Sequence, residues 1–227
     1  MRNTNKSLIA VAFIALLSSC VTPVLKSVAY KKLYSEAPKT ILIMPPINKS
    51  TNVEAKEYFH STLSVPLANQ GYYVIPPFLS MEILKKESAY NSELFVGNPL
   101  DKFGEIFGAD AVLFTTIHKW SKNALLADVT VDVEYTLKST KTNNVLYTRR
   151  GTIIYDASVN SGSNSAAGFA TSLIASAIKT AATDYTMVAR KCNVYTLSDL
   201  PTGKYHTKYK IDGKENAGPK TFRANVR

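Results

Sequence analysis

Residues 128–138 read DVTVDVEYTLK, a stretch in which apolar and polar side chains alternate without a break. Successive side chains of a β-strand point to opposite faces of a sheet, so a period of two predicts a strand with one dry and one wet face. The residues of the dry face are Val129, Val131, Val133, Tyr135 and Leu137. A turn is predicted at Lys141–Asn144, and residues 145–155 are then expected to return as the antiparallel partner of a hairpin.

Before this hairpin the chain alternates short apolar strands with helices. A continuous apolar run at residues 40–44 predicts a strand that is buried on both faces. A second short strand is predicted at residues 72–75, and a third buried strand at residues 111–117. Helices are predicted between them, at residues 53–69, at residues 78–87 and in a short segment after Asn98-Pro99. The first of these helices is expected to begin with a capping box of Thr51 and Glu54 and to bend at Pro66.

After the hairpin a long helix is predicted at about residues 166–190, rich enough in alanine and serine to lie close to a sheet. At 227 residues, 45% of them hydrophobic, the chain has room for one core and is neither collagen-like nor disordered. The element order predicts an α/β fold: a single-domain mixed sheet with helices packed on it, over residues 39–198.

The N-terminus carries an export signal. Arg2 and Lys6 precede an apolar run at residues 8–17, LIAVAFIALL, which is too short to cross a ~30 Å hydrocarbon core as a helix. The run ends in Leu17-Ser18-Ser19-Cys20, which resembles the bacterial lipobox, a motif whose cysteine becomes diacylated. Residues 1–19 are therefore predicted to be a lipoprotein signal peptide, cleaved between Ser19 and Cys20.

The lipobox implies that Cys20 carries a diacylglycerol and an N-acyl chain such as palmitate. Three acyl chains anchor a protein in effect permanently, without a membrane-spanning helix. Val21 follows the cysteine, where an aspartate would signal retention in the inner membrane, so the lipoprotein class implies the outer membrane and its periplasmic face. Residues 20–38 are predicted to be the acylated N-terminus and a tether. No cofactor is predicted besides the covalent lipid.

Lipid attachment leaves Cys192 without a partner in the chain, because the sequence has two cysteines. A buried small hydrophobic side chain is the first interpretation of Cys192, and an intermolecular disulfide is the alternative. The sequence names no base beside it that would make it a catalytic thiolate.

A basic C-terminal tail is predicted at residues 199–227, with seven lysines and arginines against three acidic residues. Such a segment cannot build a core alone, so it is expected to pack over the domain or to stay mobile. The chain has a net charge of +10, and an exported basic surface meets anionic lipid, lipopolysaccharide or peptidoglycan instead of nucleic acid. A candidate binding surface for glycan or membrane consists of Lys204, Tyr205, His206, Lys208 and Tyr209.

Three carboxylates share the wet face of the predicted hairpin strand: Asp128, Asp132 and Glu134, with ~7 Å between alternate positions. Such a row could hold a hard cation or the acid and base of a glycan hydrolase, and a solvated sheet face explains it as well.

Other signatures of chemistry are weak. The histidines His60, His118 and His206 lack metal-ligand spacing, so no metal site is predicted. The loop at residues 160–165, NSGSNS, could form an anion nest before the long helix, and a flexible loop with a helix cap is the alternative. The sequence contains no G-x-S-x-G, G-x-G-x-x-G or H-E-x-x-H motif, and no catalytic residue is predicted.

Several stretches together resemble a known family. They are the lipobox, ILIMPPINKS at 41–50, PLANQGYYVIPP at 66–77, FGADAVLF at 107–114, the tract that ends in Trp120 and LPTGKYH at 200–206. On these residues the chain resembles the bacterial lipoprotein family first described from a neisserial vaccine-antigen screen, over nearly the whole mature chain. The opening strand, first helix and GYYVIPP strand resemble more distantly the periplasmic domain of the curli-secretion lipoprotein CsgG and the N-terminal domain of TolB.

The resemblance implies an outer-membrane lipoprotein without an assigned activity. We expect a non-enzymatic accessory in cell-envelope assembly or secretion, with other envelope proteins of the CsgG-like kind as partners. Two alternatives remain open: a peptidoglycan- or glycan-binding lipoprotein that uses the basic tail, and an envelope glycan hydrolase that uses the carboxylate strand. Formation of a homo-oligomer through the edge of the hairpin is a further hypothesis.

Overall fold

The structure is a computed structural model that describes residues 23–123, 128–156 and 184–227. Its strands are β1 Thr40–Ile43, β2 Ile47–Asn48, β3 Tyr73–Val74, β4 Ala111–Asn123, β5 Asp128–Ser139, β6 Val145–Asp156 and β7 Thr221–Val226. They form a seven-stranded sheet in the order β3-β1-β4-β5-β6-β7, and β2 also pairs with β4. Pairing is parallel from β3 to β4 and again between β6 and β7, and antiparallel through β4, β5 and β6.

Helices pack on this sheet, as the sequence predicts. They are α1 Lys26–Ala29, α2 Lys31–Glu36, α3 Ala55–Thr62, α4 Ser64–Asn69, α5 Pro77–Lys86, α6 Asp101–Phe107 and α7 Tyr185–Leu197. Short 3₁₀ turns lie at Ser92–Leu94 and Asp212–Lys214. The predicted fold class, a single-domain α/β protein with a mixed sheet, is confirmed.

Strand β1 is buried on both faces. Ile41 and Ile43 belong to the core cluster that includes residues of α3, α4 and α7, whereas Leu42 and Met44 belong to a second cluster with residues of α5 and α6. The two clusters therefore lie on opposite faces of the sheet, because alternate side chains of a strand point to opposite sides.

The hairpin has the predicted dry face. All five alternating apolar residues of β5 are fully buried, and α7 packs against this strand. Lys138, predicted to lie on the wet face, is instead only 5% exposed, and its ammonium group donates a hydrogen bond of 2.8 Å to the carbonyl oxygen of Val96. Burial lowers the pKa of Lys138.

The helix predicted at residues 53–69 is two helices, α3 and α4, which meet at Leu63. Pro66 explains the break, since it has no N–H to donate to the carbonyl of Thr62. The predicted capping box is wrong. The side chain of Asn52 accepts a hydrogen bond from the Glu54 amide at 3.1 Å, and the Glu54 carboxylate accepts one from the Tyr58 hydroxyl instead.

The long helix predicted after the hairpin is observed only from residue 185 onward. Asp184 has an extended backbone, and its carboxylate accepts a hydrogen bond from the Thr186 amide at 2.9 Å, so it caps α7 where the prediction placed it inside a helix. Helix α7 continues to Leu197, beyond the predicted end. Residues 166–183 and the loop at 160–165 lie outside the described residues.

The segment predicted to be a tether is folded from residue 24 onward. Tyr30 and Leu33 are 4% and 2% exposed and belong to the main core. The carboxylate of Glu36 accepts a hydrogen bond of 2.8 Å from Thr142, which ties α2 to the hairpin turn. The signal missed in the sequence is the spacing of Tyr30, Leu33 and Tyr34, three and four residues apart on one helical face.

The C-terminal tail packs on the domain and supplies strand β7. Within this strand Phe222, Ala224 and Val226 face the core, at a period of two that was present in the sequence. The folded unit thus extends past the predicted limits of 39–198 at both ends. Because β7 pairs with β6 over Arg150–Tyr155, this part of the hairpin is not the free edge that the hypothesis of self-association assumed.

Candidate functional site at the joined termini

The two ends of the described chain are hydrogen-bonded to each other. The amide of Lys26 donates to the carbonyl oxygen of Glu215 at 2.8 Å, and the amide of Ala217 donates to that of Val24 at 2.7 Å. Leu25 and Asn216 form an antiparallel bridge between these bonds. Residues 24–26, close to the start of the described chain, are thus held by the C-terminal tail.

Charged side chains lie buried beneath this junction. Lys26, 8% exposed, places its ammonium nitrogen 3.2 Å from the Glu215 carboxylate and 4.0 Å from that of Asp199. Asp199 also accepts a hydrogen bond from the Tyr30 hydroxyl, and burial together with this carboxylate raises the pKa of Tyr30. Hydrogen bonds from Lys208 and Lys26 lower the pKa of Glu215. Paired in this way, the charges fix α1 against the tail.

Arg149 connects strand β6 to the tail. Its guanidinium donates to the carbonyl oxygens of Tyr195 and Thr196 at 3.1 and 3.2 Å, and to that of Pro219 at 3.2 Å. The ring of Phe222 lies 4.2 Å from the guanidinium carbon, within the range of a cation–π contact. These contacts give Arg149 a structural role, in which it holds the tail and the end of α7 against β6.

The LPTGKYH stretch, residues 200–206, docks on the turn after α4. The amide of Gly203 donates to the carbonyl oxygen of Gln70 at 2.7 Å, and that of Tyr205 donates to the Gly71 carbonyl at 3.0 Å. Gly71 has a φ of +83°, and a Cβ at this position would lie 2.4 Å from the backbone nitrogen of His206. These contacts explain why glycine occurs at this turn.

The five residues predicted to bind glycan or membrane lie in one turn, directly after Gly203. Lys204 and Tyr205 are exposed, Tyr205 to 66%. His206 Nδ1 accepts a hydrogen bond from the Lys208 amide at 3.0 Å, and the Lys208 ammonium lies 3.1 Å from Glu215. Tyr209 is half-buried. Exposed aromatic and cationic groups are therefore concentrated at Lys204 and Tyr205.

Two carboxylates of the carboxylate strand contact neighbouring basic side chains. Both oxygens of Asp132 accept hydrogen bonds of 2.8 Å from Arg150, and Glu134 lies 2.8 Å from His118 Nε2. His118 occupies the bulge between β4 and β5, which turns its ring toward Glu134. Asp128 begins β5, opposite Asn123 and Asp156. Among the described residues no group of three or more ligating side chains is placed to hold a metal ion.

Cys192 is fully buried in α7, and burial raises the pKa of its thiol. This confirms the interpretation of Cys192 as a buried small hydrophobic residue. Cys20 and Ser19, the predicted lipidation and cleavage positions, lie outside the described residues. No helix within the described ranges combines the length and apolar composition that a membrane crossing requires.

Known proteins resemble this chain over most of its length. The model of the family described as "Putative lipoprotein GNA1162-like" matches residues 28–205. "Putative lipoprotein NMB1124/NMB1162" from Neisseria meningitidis serogroup B is 26% identical over 159 residues, 69% of this chain and 71% of the relative.

Solved structures were compared as well. Lipoprotein GNA1162 from N. meningitidis matches with 25% identity and a TM-score of 0.48, covering 64% of this chain and 99% of that one. The C-terminal domain of LpoB from Salmonella enterica matches with 18% identity and a TM-score of 0.37, covering 56% of this chain and 96% of that one.

Proposed function

The chain belongs to the GNA1162-like lipoprotein family, and from this premise we propose that it is an outer-membrane lipoprotein, acylated at Cys20 and facing the periplasm. In this proposal it acts without catalysis, as an accessory in cell-envelope assembly or secretion. Its partners are other envelope proteins, CsgG-like secretion lipoproteins among them. The observation that carries the proposal is that the lipobox at residues 17–20 stands only a few positions before a folded domain, in which Val24 already accepts a backbone hydrogen bond.

The chemistry of the described residues supports a binding role over a catalytic one. The carboxylates of the hydrolase alternative, Asp132 and Glu134, are paired with Arg150 and His118. The two carboxyl groups of a glycan hydrolase act as acid and base on the same substrate bond. Asp132 and Glu134 are instead directed at neighbouring side chains, Arg150 and His118.

Lipid attachment can be tested by metabolic labelling with an alkyne fatty acid, followed by separation of the two membranes on a density gradient. We expect the wild-type protein to be labelled and to sediment with the outer membrane, and Cys20→Ser to lose the label. Cys192→Ala is the matched control and should keep it, since Cys192 is fully buried. Labelled Cys20→Ser, or unlabelled wild type, would contradict the proposal.

Partners can be identified by crosslinking in living cells followed by mass spectrometry. We expect envelope proteins to be recovered with the wild-type chain and lost with Cys20→Ser, because the variant no longer resides at the membrane. Recovery of soluble proteins alone, equally with both chains, would count against an accessory role at the envelope.

Glycan binding is a second candidate, favoured by the exposed pair Lys204 and Tyr205 on a turn that Gly71 holds in place. The test is co-sedimentation with purified peptidoglycan sacculi. Tyr205→Ala should reduce the pelleted fraction, because aromatic rings are typical stacking partners of sugars. Phe78→Ala, which removes an even more exposed ring on α5, should not. Deleting the tail is unsuitable for this purpose, since that would also remove β7.

A further inference from the structure

The folded N-terminus brings the domain close to the predicted lipid. If residues 20–38 were a free tether, its 18 residue steps would reach about 60 Å from the membrane. The structure instead fixes the chain from Val24 onward, and only four residue steps separate Cys20 from Val24, a reach of about 14 Å. A domain held so closely must touch the head groups of the bilayer on the side where Pro23 emerges.

The surface on that side is apolar at its centre. Three apolar residues within five consecutive positions are exposed: Val24 to 48%, Leu25 to 42% and Val28 to 65%. The 3₁₀ turn at Asp212–Lys214 packs against α1, and Ile211, directly before it, is 64% exposed. We call Val24, Leu25, Val28 and Ile211, with the exposed Lys210 and Lys214, the N-terminal patch.

The charges around the N-terminal patch favour an anionic partner. Lys210 and Lys214 are exposed beside Ile211. The acidic groups of the same turn are satisfied from within the protein: Asp212, 1% exposed, accepts hydrogen bonds from Tyr34 and from the Thr202 amide. Glu215 is paired with Lys26 and Lys208. The patch therefore presents cations and apolar side chains outward, a combination typical of protein surfaces that bind anionic lipid bilayers.

We propose that the N-terminal patch docks on the lipid bilayer, so that the domain lies on the membrane in one orientation with the α5 and α6 face directed away from it. This inference rests on the proposed acylation of Cys20. It goes further than that proposal, because an anchor alone leaves the orientation of the domain free.

The test uses the full acylated chain, purified from membranes and reconstituted in vesicles of phosphatidylethanolamine and phosphatidylglycerol. An environment-sensitive fluorophore is attached to a cysteine at position 28, in the variant Val28→Cys. The matched control carries it at position 78, in Phe78→Cys. Phe78 is 82% exposed, and its helix α5 packs on the opposite face of the sheet. Cys192 is fully buried, and the Cys20 thiol is consumed by the lipid, so labelling is confined to the introduced cysteine.

We expect the emission at position 28 to shift to the blue and to be quenched by lipids that carry a spin label, and the emission at position 78 to remain as in water. Lys210→Glu combined with Lys214→Glu should weaken the quenching at position 28 while the protein stays anchored. If the chain is acylated but the fluorophore behaves alike at both positions, or is quenched at position 78 instead, the docking proposal is wrong and the proposed acylation stands. A chain that mass spectrometry shows to lack acyl groups overturns both proposals.

Discussion

At the scale of single residues, close contacts of backbone atoms explain more of this molecule than its charged side chains do. Gly71 and Gly203 approach each other so closely that a Cβ on Gly203 would lie 2.4 Å from the carbonyl oxygen of Gly71. This contact aligns the LPTGKYH stretch with the turn after α4, and the hydroxyl of Tyr72 closes it by donating to the Pro201 carbonyl at 2.6 Å.

Gly71→Ala should therefore destabilise the protein strongly. The variant combines a left-handed backbone with a clash against His206, and we expect a loss of about 3 kcal/mol or more in the free energy of unfolding. Gly108→Ala is the matched control: its φ is +64°, and nothing lies within 4 Å of a Cβ there, so the loss should be about 1–2 kcal/mol. Urea denaturation measures both, and equal losses would refute the role of the contact.

His60 is a buried residue with a direct effect on the pH dependence of stability. It is 7% exposed, and burial lowers its pKa from the ordinary value of 6.5, outweighing the opposite effect of Glu57. The folded protein keeps this imidazole neutral while the unfolded chain takes up a proton. Protonation of His60 therefore does not reduce the free energy of unfolding above pH 6.5. Below pH 6.5 that free energy falls as the pH drops toward the lowered pKa of the folded state.

We expect His60→Gln to flatten this dependence. Between pH 7.5 and 5.5 the wild type should lose stability by at most about 1.4 kcal/mol per pH unit, and the variant by less. Denaturation midpoints at the two pH values give the comparison, with His206→Gln, at a half-buried histidine, as the control. An unchanged slope in His60→Gln would show that another group causes the dependence.

At the scale of elements, strand β7 shows which parts of the fold could be predicted from sequence. The strands β1, β4, β5 and β6 have continuous or alternating apolar runs, and the sequence located them within a few residues. The residues of β7, TFRANV, alternate as well, but they lie among lysines and contribute one large aromatic ring, so the charge of the tail obscured the pattern. Their burial depends on β6, which is distant in sequence.

The contribution of β7 can be measured with two neighbouring residues. Phe222 packs against Gly151 and Arg149, and Phe222→Ala should lower the free energy of unfolding by about 2–3 kcal/mol, less than for a fully buried ring. Arg223→Ala, on the exposed side of the same strand, should change it by less than about 0.5 kcal/mol. Similar values for both variants would mean that β7 contributes little to the fold.

At the scale of the whole molecule, residues near both ends of the described chain, Tyr30, Leu33 and Val226 among them, belong to the same core cluster. The candidate surface could be predicted only in part: residues 204–209 were identified by their charge and aromatic rings, whereas Val24, Leu25 and Val28 were assigned to a tether. The contacts that fold this segment, to Glu215 and Ala217, join residues about 190 positions apart, and no local pattern reveals such pairs.

The two core clusters share one sheet, so we expect a single unfolding transition. Trp120, the one tryptophan of the chain, is 5% exposed and reports on the centre of the core, whereas far-UV circular dichroism reports on all elements. We expect the two signals to change at the same urea concentration. Leu33→Ala, in α2, should lower the free energy of unfolding by about 2–4 kcal/mol and move both transitions to lower urea concentration. Val28→Ala, at an exposed position, should move neither transition. Separate transitions would indicate that the N-terminal helices fold independently.

The bridge between Leu25 and Asn216 also bears on when the protein can fold. A chain emerges from the ribosome N-terminus first, so Leu25 must wait until Asn216, about 190 residues later, has been made, and contacts of such large sequence separation form slowly. Strand β7, at the very end, is needed as well to cover β6. Until residues 215–226 have been made, the polypeptide therefore remains short of the described fold.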